Sequence, residues 1–350
     1  MMDLFLPMQV GKVSFANRIV MAPMVRFGMA VQDGVMGEEL LRHYRAYANA
    51  GIGFAISQCL TVCPSDDPHA LGAGTSGGAG AYDARHIPYL RHLAETFHAG
   101  GTRFFAQLGK GGYAFGEAGT ADLHALRTAE LDALAADFVR AARFVFEAGA
   151  DGVELHGAHG FFLNQLASPL ANRRTDAYGG SLAARLHFAH KVVQGVRAFA
   201  GDSFLLAYRM GWMGSEKEDA RTARALAEIG FDLLHVSHGI PSERAVPELA
   251  DFPYGRMVRV AAQIRHAVSV PVIAVGGIET LARGEALLQH GACDFVAYGR
   301  PFLADPQFAE RGREELGYRP CFDCRVCKWQ TDGRRCPARL LRVCRGEGKV

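Results

Sequence analysis

The stretch Gly152-Val-Glu-Leu-His156-Gly-Ala-His159-Gly-Phe161-Phe-Leu-Asn-Gln-Leu-Ala-Ser-Pro169-Leu-Ala-Asn-Arg-Arg-Thr-Asp176-Ala-Tyr178-Gly-Gly-Ser181 decides how this chain is read. It opens on a short apolar run at 152–156, passes through a polar, glycine-bearing segment, and enters a region of helical periodicity at 181–199. A strand, a loop rich in chemistry and a helix make one βα unit. The same unit recurs along the chain. Strands expected over 18–24, 54–59, 103–108, 152–156, 204–209, 233–237, 272–275 and 295–298 are followed by helices near 38–50, 86–99, 128–148, 181–199, 217–229, 256–268 and 279–290. In the third helix Leu131, Leu134, Phe138, Ala141 and Val145 share one face, as packing against a sheet requires.

Eight such units can close into a barrel whose active site is built from loops at the C-terminal strand ends. A doubly wound open sheet is the rival architecture, but no GxGxxG follows the first strand, where a dinucleotide fold places it. The expected fold is therefore α/β, a (β/α)8 TIM barrel over 1–315, with a short cysteine-rich appendage at 316–350. A hydrophobic fraction of 49% in 350 residues supplies the core that one large barrel needs. The glycine-rich run 72–80, after the second strand, reads either as a substrate loop or as a surface loop without chemistry.

Lys and Arg number 38 against 36 Asp and Glu, so no strong net field draws the chain to nucleic acid or to an anionic membrane. A small-molecule partner is expected instead. No apolar run approaches the roughly 20 residues of a membrane span, and the start MMDLFLPMQVGK lacks the marks of a signal peptide. A soluble, cytoplasmic protein is expected. Cys59, Cys63 and Cys293 are scattered, whereas Cys321, Cys324, Cys327, Cys336 and Cys344 crowd the C-terminal end. In a reducing compartment such a cluster points to metal rather than to disulfides.

Two glycine groups carry a second signal. A phosphate beyond strands seven and eight needs backbone N–H donors, close approach and a positive charge, which Gly276, Gly277, Gly299 and Arg300 can supply. The alternative is glycines that serve only tight turns. His156 and His159 stand three apart just past a strand, without a third ligand at metal-site spacing.

The 152–181 segment closely resembles the fourth-strand segment of the old yellow enzyme family, with related segments in the barrels of 2,4-dienoyl-CoA reductase and trimethylamine dehydrogenase. The resemblance continues in Ala22-Pro23-Met24, Phe105-Ala-Gln107-Leu, Gly276-Gly277 and Gly299-Arg300-Pro301, and runs from about residue 5 to 310. It implies FMN over the barrel mouth, reduced by NADH or NADPH. Pro23, Met24 and Val25 would lie along the isoalloxazine, Gln107 at its pyrimidine edge and Arg209 near N1–C2, where a cation favours the anionic reduced flavin. Cys59 aligns with a small residue facing the flavin, though an inert buried thiol is the plainer reading. His156 and His159 would donate hydrogen bonds to a substrate carbonyl, easing hydride transfer to an electron-poor alkene. The same barrel run oxidatively would dehydrogenate an amine or alcohol. A third reading, from a different class, is a flavin-bearing electron-transfer subunit with a redox-protein partner.

Three departures stand out. Phe161 replaces a tyrosine that protonates carbon in many relatives, Val25 replaces a flavin-tuning cysteine or threonine, and Lys110 replaces a frequent histidine. Tyr113, Lys110 or water would then supply the proton. In the tail, Cys321-x2-Cys324-x2-Cys327-x8-Cys336 resembles the iron–sulfur segment of the dienoyl-CoA reductase branch with altered gaps. Four thiolates suit a [4Fe–4S] cluster or a structural zinc, and absence of metal is a third outcome. The basic residues Arg325, Lys328, Arg334, Arg335, Arg339, Arg342 and Arg345 read as a nucleic-acid patch, for which basic density alone is weak evidence, as a solvated tail, or as a docking face for an acidic electron-transfer protein.

Overall fold

Parallel strands enclosed between an inner core and an outer layer of helices are buried on both faces, so they read as unbroken apolar runs. The computed structural model, which describes residues 2–26, 29, 31–64, 78–111, 123–240 and 254–346, places eight such runs in one sheet. They are β1 (Ile19–Met21), β2 (Phe54–Ile56), β3 (Arg103–Gly109), β4 (Gly152–Gly157), β5 (Leu205–Gly211), β6 (Leu233–Ser237), β7 (Val272–Val275) and β8 (Phe295–Tyr298). Each pairs in parallel with the next, and β8 pairs back onto β1 through Val296 and Ile19, so the sheet closes into the expected (β/α)8 barrel.

Side chains alternate across the sheet with the period of two that pleating imposes. Leu205 and Ala207 of β5 join Phe54, Ile56, Phe105, Leu233, Ile273 and Phe295 in the inner core. Leu206 and Tyr208 join the outer core, together with the helix residues Leu131, Phe138 and Val145. The expected face of the helix Thr128–Glu147 is thus the buried one. An antiparallel hairpin, Met8–Val10 with Val13–Phe15, closes the N-terminal end. Its Phe15 ring sits 4.8 Å from Phe54 and 5.3 Å from Phe295, plugging the barrel floor. Only the C-terminal mouth is left open for chemistry.

Local differences from the expected boundaries have simple causes. The strand expected over 18–24 pairs only as Ile19–Met21, because Pro23 has no N–H for the ladder. The strand expected over 54–59 stops at Ile56, and Leu60–Thr61 instead joins the far end of β3. The helix expected over 181–199 is two helices, Leu182–Arg185 and His187–Arg197. Helix starts carry the side-chain caps that satisfy free N–H groups: Ser181, Ser215 and Thr280 accept from Ala184, Glu218 and Arg283. Beyond Glu314 the chain forms short turns and the helix Pro337–Cys344, burying Trp329, Cys336 and Ala338 against the barrel. Among the described residues no helix is long and apolar enough to cross a membrane. Residues 72–77 of the glycine-rich run lie outside the described residues.

Candidate active site at the barrel mouth

A cavity of about 410 Å³ opens where β1, β7 and β8 end. Pro23, Met24 and Val25 form one side, and Gly276, Gly277, Gly299 and Arg300 another. Gly276 and Gly277 hold φ of +115° and +66°, which favour glycine. A Cβ on Gly277 would meet nothing within 4 Å, whereas one on Gly299 would press Met24 Sδ at 3.3 Å. The backbone here is thus bare on the cavity side and can present N–H groups to an anion. Arg300, half-exposed at the rim, donates through Nη1 to the Asp323 carboxylate of the tail. Cys321, Cys327, Trp329 and Gln330 complete the wall, a contribution of the tail that sequence reasoning missed.

Below the mouth lies a buried polar network. Glu154 of β4 is fully buried and accepts from Gln107 Nε2 at 2.7 Å, while His235 Nδ1 lies 2.7 Å from its other oxygen. Burial pushes the Glu154 carboxyl up, but His235, Arg209 and Gln107 outweigh it and hold the group below its ordinary range. Arg209 of β5 lines the cavity, buried, with Nη2 donating to Ser237 Oγ at 3.1 Å and Nε without a partner. Burial lowers its pKa and Glu154 supports it, so the mouth holds a fixed guanidinium charge with its counter-ion beneath. The sequence carried one missed signal for this pair: Glu154 interrupts an otherwise apolar buried strand. Nothing in the sequence marked Ser237, His235 or the cavity-lining His238.

His156 and His159 face each other edge to face, ring centres 5.0 Å apart, and Phe161 packs tilted against His156 with ring centres 4.0 Å apart. His159 holds φ +59°, a strained conformation of the kind that clusters at functional sites. Its N–H donates to the His238 carbonyl at 2.8 Å, and its Nε2 lies 2.7 Å from Ser237 Oγ. Desolvation and then Arg209 lower both imidazoles, so each is neutral at pH 7 and offers an N–H rather than a charge. His156 Nδ1 is buried without a partner. These residues, with Cys59 and Gln107, are not among those lining that cavity. A Cβ on Gly109 would lie 2.5 Å from Cys59 Sγ and 3.2 Å from His156 Cβ, so the two flank Gly109. Burial pushes the Cys59 thiol up to about 12, which leaves it protonated. Lys110 gives its carbonyl to Phe162 N at 3.3 Å, and Tyr113 lies outside the described residues.

The tail cysteines do not form a ready ligand set. Cys321 and Cys327 are half-buried, Cys336 is buried, and Cys324 and Cys344 are exposed. Among the described residues no group of three or more His, Cys, Asp or Glu converges to hold a metal ion. Burial raises the Cys321 thiol, and Cys327 and Cys336 are close enough to raise it further.

A glycine cradle for phosphate, an apolar shelf at Pro23–Val25 and the cavity-lining Arg209, whose Nε has no partner among the described residues, fit flavin mononucleotide, and a barrel so equipped is that of a flavin oxidoreductase. The chain belongs to the NADH:flavin oxidoreductase / NADH oxidase family, whose profile matches residues 3–318. An NADH oxidase of Thermoanaerobacter brockii is 30% identical over 93% of this chain and 53% of its own length. The chain therefore spans about half of that relative. An NADPH dehydrogenase of Geobacillus is 30% identical over 90% of this chain and 94% of its own. The structure of morphinone reductase in complex with tetrahydroNAD aligns with a TM-score of 0.70 at 27% identity, covering 91% of this chain and 92% of that one. The barrel is thus of the old yellow enzyme type.

Proposed function

We propose that the protein takes hydride from NADH or NADPH and delivers it to a small electron-poor alkene or similar acceptor. Bound FMN supplies the hydride chemistry. The glycine cradle and Arg300 would hold its phosphate and the Pro23–Val25 shelf its ring, and the family resemblance puts Gln107 at the pyrimidine edge. Arg209, with Glu154 supporting its charge, would place a positive charge where a reduced flavin ring gathers negative charge. His156 and His159 hold the acceptor's carbonyl through N–H groups, withdrawing charge from the carbon that receives hydride. The observation that carries this reading is the neutral His159, tied beside Arg209 through Ser237, with the neutral His156 packed edge to face against it. Anaerobic reduced protein mixed with a cyclic enone, a quinone, and, in the oxidised form, an amine tests it. Flavin reoxidation by the unsaturated acceptors supports the proposal, and flavin reduction by the amine alone overturns it.

The chain divides on this reading into the barrel at 1–315 and the tail at 316–350. Because Cys321 and Cys327 line the same cavity, we further infer that Cys321, Cys324, Cys327 and Cys336 gather around one centre when metal is present. A [4Fe–4S] cluster is the first assignment and zinc the second. A cluster there would favour a redox-protein partner.

A further inference from the structure

We propose that a second cavity, between the helix Glu38–Arg45 and the tail, binds a small organic anion, with Arg42 and Arg339 on its acidic group and Trp329 against its apolar body. The site shares the Trp329 wall with the flavin cavity but does not rest on the flavin reading. At about 370 Å³ the cavity could hold roughly a dozen waters, far more than one simple ion needs. Met29, Ala46 and Leu340 give it apolar surface beside the Trp329 ring.

Its polar groups are donors. Arg26, fully buried, donates through Nε to His43 Nε2. A guanidinium can only donate, so His43 is neutral and carries its proton on Nδ1. That Nδ1–H is buried and has no acceptor, and the same holds for Trp329 Nε1–H. Both rings line the cavity.

The charges point the same way. Arg45 is paired with Glu38, and Arg334 with Asp332 at 2.8 Å and, more distantly, with Glu39 at 4.0 Å. Arg42 and Arg339 also line the cavity and make no ion pair among the described residues. Arg26 and Arg339 both lie over the Trp329 ring, their Cζ atoms 5.1 and 5.3 Å from its centre. Two guanidinium groups crowd one indole, and among the described lining residues Glu39 is the one carboxylate. The unpaired cations that line the cavity lack an anionic acceptor, and a carboxylate or phosphate monoester on a flat apolar body supplies it.

Trp329 reports on occupancy, because the chain holds only one other tryptophan, Trp212. The test uses full-length Trp212→Phe protein, as purified with its flavin, titrated with benzoate, phenyl phosphate, benzyl alcohol and inorganic phosphate while indole emission is followed. Benzoate or phenyl phosphate should change the emission saturably, and the tighter of the two names the acidic group. Benzyl alcohol and inorganic phosphate should bind at least about tenfold more weakly. Arg42→Gln and Arg339→Gln should each weaken the organic anion by about tenfold, the scale of one charge-assisted hydrogen bond. Flavin content and melting temperature of both variants show that they are folded. The proposal fails if no probe binds, if benzyl alcohol or inorganic phosphate binds as tightly as the organic anions, or if the folded variants match the parent.

Discussion

His159 Nε2 lies 2.7 Å from Oγ of Ser237, the hydroxyl that also receives Nη2 of Arg209 at 3.1 Å. One small side chain at the end of β6 therefore sets both a proposed substrate donor from β4 and a proposed flavin cation from β5. Ser237→Ala removes both contacts while leaving the barrel wall intact. Enone reduction should slow by about tenfold, the scale of one such hydrogen bond, at unchanged FMN content. An unaltered rate would mean that the rings hold their positions by packing alone.

Arg300→Ala should weaken FMN retention by about tenfold or more, because it removes a charge-assisted contact from the proposed phosphate cradle. Asp323, its present partner in the tail, acts in the opposite sense. Asp323→Ala should leave retention equal or improved. Equilibrium dialysis of the apoprotein with FMN measures both, and equal affinity in the parent and Arg300→Ala proteins would displace the phosphate from this rim.

Serine at Cys321, Cys324, Cys327 or Cys336 should lower the iron or zinc content of anaerobically purified protein and loosen the tail, since thiolate ligation and local folding are linked. Cys344→Ser should change neither. Metal-free parent protein isolated without oxygen would end the assignment.

Phe161 packs tilted against His156, ring centres 4.0 Å apart, at the position where the old yellow enzyme resemblance implies a tyrosine acid, and a phenyl ring has no proton to give. A well-placed general acid contributes roughly 10²–10⁴-fold. The parent should therefore favour quinones, nitro compounds and maleimides, whose products take their protons on oxygen or wait for water. Phe161→Tyr should accelerate flavin reoxidation by a simple cyclic enone, with reduction by NAD(P)H nearly unchanged. Stopped-flow rates equal in the two proteins would assign the proton to another group, with Tyr113→Phe the next variant.

Stability should fall as acid passes below about pH 6.5. His43, His156 and His235 are buried and their pKa values lowered, chiefly by desolvation. Folded, they stay neutral there; unfolded, they bind protons, so protonation favours the unfolded chain and stability rises again toward neutral pH. Asp219 has the reverse sign. Burial raises it to about 7, so the stability it contributes is present below about 3.8 and lost as pH rises toward 7. Three imidazoles against one carboxyl leave the histidines dominant between pH 5.5 and 6.5. The urea midpoint should be lower at pH 5.5 than at 7.5, and Asp219→Asn should steepen that difference; a flat midpoint would contradict both.

The sequence by itself determined the barrel, because eight apolar runs, each buried on two faces and followed by a helix, leave few ways to hide their surface. It also located Pro23, Met24, Val25, Gly276, Gly277, Gly299 and Arg300, since a loop residue just past a barrel strand is carried to the mouth by topology alone. The hairpin that plugs the floor was not legible, as Val13-Ser14-Phe15 is too short to announce a strand. The pairing of Glu154 with His235, 81 positions apart, and the sharing of Ser237 by His159 and Arg209 were invisible for a different reason. Such contacts depend on which strands become neighbours and on which face each side chain takes, and no local pattern records that. The tail is the sharpest case. Its cysteine spacing could be read as a ligand set, but only the folded chain decided that Cys321, Cys327 and Trp329 would wall the flavin cavity, because burying Trp329, Cys336 and Ala338 against the barrel fixes where that segment lies.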